Sequence, residues 1–447
     1  MESAAAVERD LREVGRQLAA RFPPRTRHPV RALDAKAMEL SSQDAELRAA
    51  LFRFVDVTPA CRSLDDLARH LAGYLEEVDA PPPPLRAAMR MAESRAGRTA
   101  LGAAAAAGVK HMAHRFIVGD TPRAAVGDLR SMWRDGIAAS LDLLGEATVT
   151  ADEADRYAAR CTDALEELAR AYEKVPAREH LEHDSLGRLP RANLSVKVSA
   201  LTPLMRPEAP ELGRDDAARR LRPLLDTARE LGVHLHIDME SVDALETTLE
   251  LVFSLLDEGA LRDGPSAGVV LQAYLRESSG HLDRILEWAH GSERTQPLVV
   301  RLVKGAYWDH EVVEARQHGW RPPVFEEKAD CDRNFEQLTR RLLDARPLVR
   351  VAVGSHNLRS VSHAIAYNRA VGGEDRDLEL QVLRGLGDDL GSALAASGLR
   401  VRAYCPVGEL VAGMAYLVRR LLENTSNESF LHEQSRGTPL EELLAAP

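Results

Sequence analysis

Arg419 and Arg420 stand side by side, one helical turn from Tyr416, and Glu423 follows three residues later. At ~100° per residue these four share one side of a helix over 408–424, opposite Leu410, Met414, Leu417, Val418 and Leu421. Adjacent guanidinium groups beside a phenol are well built to grip a carboxylate through charge-assisted hydrogen bonds. The same pattern also describes an ordinary solvated helix face, and spacing alone places it over nothing. Upstream, Ser195, Lys197 and Ser199 alternate with Leu194, Val196 and Val198. A lysine in mid-strand is costly to bury without an anion or a carboxylate beside it. His234, His236 and Asp238 alternate in the same way with Val233, Leu235 and Ile237. His-x-His on a strand is a metal-ligand pattern of hydrolases, but such a site needs further ligands from other strand ends. His356 is the one obvious further histidine, and the run ending Tyr404-Cys405 carries no carboxylate there. The favoured reading leaves the two histidines hydrogen-bonded in a core or outside the site.

These side chains need a scaffold, and the chain between about 136 and 405 supplies one. Short β-rich runs recur at 137–144, 193–198, 233–239, 268–274, 298–304, 349–355, 378–383 and 399–405, with amphipathic helical sequence between them. Eight strands each followed by a helix predict an α/β fold of the (β/α)₈ barrel type, whose active site lies at the C-terminal strand ends. No GxGxxG is present, so a doubly wound dinucleotide fold loses its main support. The strand ends themselves are telling. Gln272-Ala273-Tyr274, Arg301 through Trp308, and Ser355-His356-Asn357 gather cations, amides and flat aromatics. That combination suits a large anionic ligand with a planar ring, a description a flavin nucleotide meets. The first hundred or so residues read differently, as helix after helix around 44–55, 64–77 and 85–92. The Pro-rich stretch 81–84 breaks the pattern, and the run 103–107 is a strong helix former. They predict an all-helical arm or cap over 1–110, structural or oligomer-forming, before a barrel over 111–435 and a tail over 436–447.

Composition removes other classes. With 69 acidic against 58 basic residues and a net charge of −11, nothing favours nucleic acid or anionic lipid as the main partner. Cys61, Cys161, Cys331 and Cys405 show no CxxC spacing, which argues against a zinc ribbon, a redox pair or a disulfide scaffold. The charged N-terminus lacks the apolar stretch of a signal peptide, and no uncharged apolar run approaches the ~18 residues of a spanning helix. A cytoplasmic location is the expectation.

Several segments together resemble the proline dehydrogenase family, including the proline-oxidising part of the bifunctional proline utilisation proteins. They are Leu141-Asp142-Leu143-Leu144-Gly145-Glu146, Leu194 to Leu201, Ile237-Asp238-Met239-Glu240, Gln272-Ala273-Tyr274, Arg301 to Trp308, Ser355-His356-Asn357 and Tyr404 through Ser429. The run Tyr416-Leu417-Val418-Arg419-Arg420-Leu421-Leu422-Glu423-Asn424-Thr425-Ser426-Asn427 is close to a signature of that family. The resemblance implies a distorted barrel that binds FAD, with its eighth helix across the mouth. It implies that Arg419 and Arg420 pair with the proline carboxylate, that Lys197, Tyr404 and Tyr416 line the pocket with Asp142 and Asp238 nearby, and that Glu146 is the counter-ion Arg419 uses in the empty site. It assigns FAD contacts to Asp238, Gln272, Arg301, Val303, Lys304, Gly305, Ala306, Tyr307, Trp308 and Lys328. To these it adds Ser355, His356, Asn357, Leu383, Arg419, Glu423, Ser429 and Phe430, with Arg301 nearest the flavin N5.

The implied reaction is oxidation of L-proline to Δ1-pyrroline-5-carboxylate, with hydride passing from C5 to flavin N5 and electrons then to a quinone. A quinone acceptor implies at least transient contact with a membrane surface, although no segment clearly provides it. Relatives that act on hydroxyproline tend to be smaller where this chain has Tyr404, which favours proline. Cys331 and Cys405 depart from the family pattern and read as packing residues. Bifunctional relatives continue into an aldehyde dehydrogenase, so the chain is either monofunctional or the first part of something longer. No DNA-binding start is recognisable. The alternative is a metal-dependent barrel hydrolase using His234, His236 and Asp238.

Overall fold

A computed structural model describes residues 2–23, 45–145, 148–409, 413 and 437–447. Eight parallel strands close into a barrel: β1 (Ile137–Leu143), β2 (Asn193–Lys197), β3 (His234–Asp238), β4 (Ala267–Gln272), β5 (Leu298–Val303), β6 (Val349–Gly354), β7 (Leu378–Leu383) and β8 (Arg400–Val407). Each pairs with its sequence neighbours, and β8 closes on β1 in a register running from Ile137↔Val401 to Leu143↔Val407. These are the eight runs predicted from sequence, with ends shifted by one or two residues. The predicted helix over 408–424 lies almost wholly outside the described residues.

Strand alternation sends one set of side chains outward to the helices and the other into the barrel. The outward set is apolar: Val196, Ile237, Leu271, Leu302, Val353 and Val401 are fully or almost fully buried against the helical ring. The inward set is unusually polar, including Ser140, Asp142, Asn193, Ser195, His236, Arg301, Arg350, Glu379, Arg400 and Arg402, all buried. A barrel interior is ordinarily filled by branched apolar residues. Here it is filled by pairing. Arg402 donates to both oxygens of Glu379 at 2.9 and 3.0 Å and to the Ala139 carbonyl at 2.9 Å. Below it, a small hairpin of His183–Asp184 with Gly187–Arg188 brings Asp184 to Arg350 (2.9 Å) and Arg400 (3.4 Å) at the N-terminal ends of β6 and β8.

Helices begin where their caps dictate. Thr121 and Thr150 cap Pro122–Arg134 and Ala151–Glu173, the latter through a reciprocal capping box with Glu153. Ser63 and Ser94 cap two helices of the N-terminal arm. The arm helices Ala45–Val57, Leu64–Glu76, Pro83–Met91 and Arg95–Phe116 build a small core of their own around Leu47, Phe54, Leu67, Leu75 and Val109. Gly102 lets two of them touch, because a Cβ there would lie 1.9 Å from the Leu64 carbonyl oxygen. A second apolar cluster joins Phe52, Val55, Phe116 and Ile117 of this region to Leu144, Leu386 and Tyr404. The arm thus packs onto the barrel's C-terminal rim.

The first helix, Glu2–Ala20, departs from the expected single arm. Leu11, Val14 and Leu18 join the barrel's core, against the helix Leu358–Ala370. Arg359 explains why. Its guanidinium reaches Glu8 at 2.9 Å, Glu336 at 2.7 Å and the Leu444 carbonyl at 2.7 Å, fastening both ends of the described chain to the barrel. Glu336 is itself 8% exposed, so Arg359→Ala would strand a buried carboxylate. We expect that variant to lose about 3 kcal/mol, read as a lower urea midpoint. An unchanged midpoint would show the clasp to be dispensable.

Candidate active site at the barrel mouth

The inward residues nearest the C-terminal strand ends form an ion pair and a neighbouring hydrogen-bonded set, with Lys197 and Asp238 in register on β2 and β3. From β1 and β2, Asp142 and Lys197 are in direct contact through Oδ1 and Nζ. Burial works against a charged Lys197, but Asp142, with Asp238 and Glu240 beyond it, outweighs burial and holds the ammonium above its ordinary value. The other oxygen of Asp142, Oδ2, is buried with no partner among the described residues. From β3, Asp238 accepts from Arg301 Nη1 at 2.6 Å and from the Tyr404 hydroxyl at 2.6 Å. Burial, reinforced by Asp142 and Asp238, pushes the Tyr404 phenol well above its usual range, so it stays a donor.

Arg301 is the centre of that set and is 4% exposed. Its Nη1 is taken by Asp238, its Nη2 donates to Ser195 Oγ at 3.2 Å, and its guanidinium carbon lies 5.4 Å from the Tyr404 ring centroid. Nε is left buried without a partner among the described residues. Gln272, at the end of β4, donates Nε2 to the Glu240 carbonyl at 3.0 Å while its Oε1 is likewise buried and unpartnered. A buried donor and a buried acceptor left unmade are each costly.

A second group follows β5. Val303 ends the strand, and Gly305 turns the chain at φ +139°, where a Cβ would lie 2.3 Å from the Tyr274 ring. Only glycine fits that approach. Ala306 and Tyr307 lead into the helix Trp308–Gln317, and Trp308 is 39% exposed with Nε1 donating to the Phe325 carbonyl at 2.9 Å. Lys304 and Lys328 share a single carboxylate, Asp332. Burial opposes the charge on Asp332, yet the two ammonium groups hold its carboxyl below the ordinary value. Two cations on one anion leave a surplus positive charge, and Lys328 is also the first residue of the 17-residue helix Lys328–Asp344. A surplus cation at a helix N-terminus suits a phosphate.

A third group lies after β6. Ser355 Oγ accepts from Asn357 N at 3.1 Å, and Asn357 caps Leu358–Ala370 by accepting from Ser360 N at 3.0 Å. Leu383 N donates to His356 Nε2 at 2.9 Å, which makes that nitrogen an acceptor and places a neutral ring's proton on Nδ1. Glu146, Tyr416, Arg419, Arg420, Glu423, Ser429 and Phe430 lie outside the described residues.

The two histidines of β3 are occupied with each other. His234 Nε2 lies 3.1 Å from His236 Nδ1, and His234 Nδ1 lies 2.8 Å from Ser266 Oγ. Burial, followed by the neighbouring arginines, depresses both, His234 to about 3. They sit inside the barrel as neutral, hydrogen-bonded rings, and Asp238 is committed to Arg301 and Tyr404. Among the described residues, three metal-capable side chains converge instead at Cys61, Asp66 and His70 in the arm. Cys331 and Cys405 are buried, with burial pushing their thiols up to about 11 and about 12, so neither is poised as a nucleophile.

The family model for proline dehydrogenase matches residues 125–433, more than half of the chain. The chain belongs to the proline dehydrogenase family. A second model, the proline utilization A N-terminal domain, matches residues 8–116, the helical region ahead of the barrel. Among curated relatives, the bifunctional protein PutA of Salmonella typhimurium is 31% identical over 347 residues, covering 75% of this chain and 25% of that protein. The proline dehydrogenase of Deinococcus radiodurans is 30% identical over 321 residues, covering 72% of this chain and 89% of its own length. Among solved structures, proline utilization A from Bdellovibrio bacteriovorus, inactivated by N-propargylglycine, superposes with a TM-score of 0.89 at 33% identity. That match covers 99% of this chain and 44% of the other. The matches therefore span from about a quarter to under half of the length of these bifunctional relatives, and almost all of this chain finds a counterpart in such a protein.

For this proline dehydrogenase family member, the strand-end residues predicted from sequence do come together. Asp142 pairs with Lys197, Asp238 joins Arg301 and Tyr404, and Lys304 and Lys328 share Asp332. Sequence reasoning did not assign Ser195, Glu240 or Asp332 to the site. Ser195 was visible as the polar residue two positions before Lys197, and Asp332 as a carboxylate four residues after Lys328 on one helix.

Proposed function

We propose that this chain is an FAD-dependent L-proline dehydrogenase that forms Δ1-pyrroline-5-carboxylate and passes electrons to a quinone, met at a membrane surface by peripheral contact. The observation that carries this reading is Arg301. It is a buried guanidinium clamped by Asp238, Ser195 and Tyr404, with Nε unpartnered among the described residues, as is Gln272 Oε1 on the next strand. FAD would supply the redox chemistry, accepting hydride from the proline ring. Arg301 and Gln272 would meet its ring, and Lys304, Lys328 and the start of Lys328–Asp344 its phosphates. Lys197, kept charged by Asp142, adds a fixed cation at the pocket wall for the proline carboxylate, alongside Arg419 and Arg420. Tyr404 closes the pocket on the side where the arm's apolar cluster meets the rim, which helps to exclude water. Asp238 holds Arg301 and Tyr404 together, so the two sides of the pocket are fixed by one carboxylate.

The test is an absorption spectrum. Purified protein should be yellow, or become so with added FAD, and should bleach under anaerobic L-proline. A colourless preparation that takes up no FAD, or a yellow one that proline does not bleach, would overturn the reading. Stoichiometric zinc without flavin absorbance would favour the metal hydrolase instead. We further expect Lys304→Ala to weaken FAD retention about tenfold, the order of one charge-assisted contact, with a loss that shrinks as salt rises. Unchanged retention at low salt would remove Lys304 from the phosphate site.

A further inference from the structure

Four buried polar groups on three strands connect end to end behind Arg301. Ser140 on β1, Asn193 and Ser195 on β2, and Arg301 on β5 are each 0–4% exposed. Arg301 Nη2 lies 3.2 Å from Ser195 Oγ, Ser195 Oγ lies 3.2 Å from Ser140 Oγ, and Ser140 Oγ lies 2.7 Å from Asn193 Oδ1. Distance alone does not say which serine donates. The amide decides it: Ser140 gives its one proton to Asn193 Oδ1 and so can only accept from Ser195. Ser195 in turn accepts from Arg301, whose guanidinium can only donate. The chain therefore has one direction, Arg301 to Ser195 to Ser140 to Asn193, and each bond polarises the next.

We propose that Ser195, backed by Ser140 and Asn193, is a positioning residue that fixes the rotation of the Arg301 guanidinium. Asp238 anchors Nη1 from β3 and Ser195 anchors Nη2 from β2, so the plane is held at two corners and Nε is the nitrogen left over. With Nη2 released, the guanidinium could pivot about its Asp238 contact and carry Nε away from the ring it is to meet. The inference rests on the flavin reading above, since a held donor matters most where charge develops on a ring during reduction.

The test uses holoprotein and reads the flavin's reduction potential. Ser195→Ala should retain FAD and bind proline with a KM within about twofold of wild type. Its reduction equilibrium should fall about tenfold, the order expected for one hydrogen bond to a charged group, which is about 30 mV more negative for a two-electron couple. Single-turnover reduction should slow in parallel. Ser140→Ala leaves Ser195 in place without an acceptor for its proton and should shift the potential the same way by a smaller step. It carries the same test should Ser195→Ala not accumulate as folded protein. A wild-type potential in the variants, with or without a loss of thermal stability, would reduce Ser195 to a packing residue and overturn the proposal. A wild-type chain that takes up no FAD would overturn the cofactor reading, and this proposal with it, so the two failures are told apart by the unmutated protein.

Discussion

Arg301→Ala is expected to slow anaerobic reduction by proline by about 10²–10³-fold, the range for removing one preorganised donor from a site of developing charge. The substitution removes more than a donor. Asp238, 9% exposed, would keep only the Tyr404 hydroxyl as a hydrogen-bond partner among the described residues, and Ser195 would lose the group its hydrogen-bond chain serves. Stability should therefore fall as well, by about 3 kcal/mol if Asp238 stays charged. Arg301→Lys separates the two effects. An ammonium restores a positive charge near Asp238 but cannot span Asp238 and Ser195 while presenting a third edge. The lysine variant should recover most of the stability and little of the reduction rate, measured by stopped-flow on holoprotein of matched FAD content. Reduction at the wild-type rate in either variant would remove Arg301 from the chemistry.

Much of this site could be read from the sequence because a barrel strand is a strict two-residue alternation. Ser195-x-Lys197 and His234-x-His236-x-Asp238 announce polar residues on the face that should be apolar, and each proved to point inward. What alternation does not convey is partnership. His-x-His is the same string whether it binds a metal or pairs with itself, and only the 3.1 Å contact between the two rings, with Ser266 on the far side, distinguishes the cases. Lys197 posed a similar choice between an ion pair with a neighbour and an anion-binding role, and Asp142, 55 residues earlier, supplies the ion pair. The residues 174–192 carry no clear periodicity at all, so nothing in them signals that Asp184 enters the barrel. Its partners lie 166 and 216 residues further along. Long-range electrostatic pairing of this kind leaves no local pattern, which is why the interior charges of β6, β7 and β8 went unread in the sequence.

Asp184 is the group on which that matching turns. It is the carboxylate that meets Arg350 among the described residues, with Nε and Nη2 at 2.9 and 3.3 Å, and it also meets Arg400 at 3.4 Å. Arg350 Nη1 and Arg400 Nε are already buried without hydrogen-bond partners. Glu379 cannot take over, because it is engaged by Arg402 through both oxygens. Although burial alone would raise it, Arg402 and Arg400 hold Glu379 down to about 2, so its single negative charge is already spent. Asp184→Ala would thus leave Arg350, 2% exposed, without its carboxylate, and Arg400, 3% exposed, with only a 3.9 Å ion pair to the already engaged Glu379. The expected loss is about 3–5 kcal/mol, seen as a lower urea midpoint. The cause should be stranded charge and not lost packing, and a double variant can show it. Arg350→Met in the Asp184→Ala background removes one stranded cation while keeping most of its volume, so it should restore part of the loss, whereas Arg350→Met alone should destabilise. Because the floor lies at the opposite end of the barrel from Arg301, the folded fraction of Asp184→Ala should bind and reduce FAD as the wild type does. Strictly additive losses in the double variant would mean that the hairpin is held by its shape, and that the charges beneath it are bystanders.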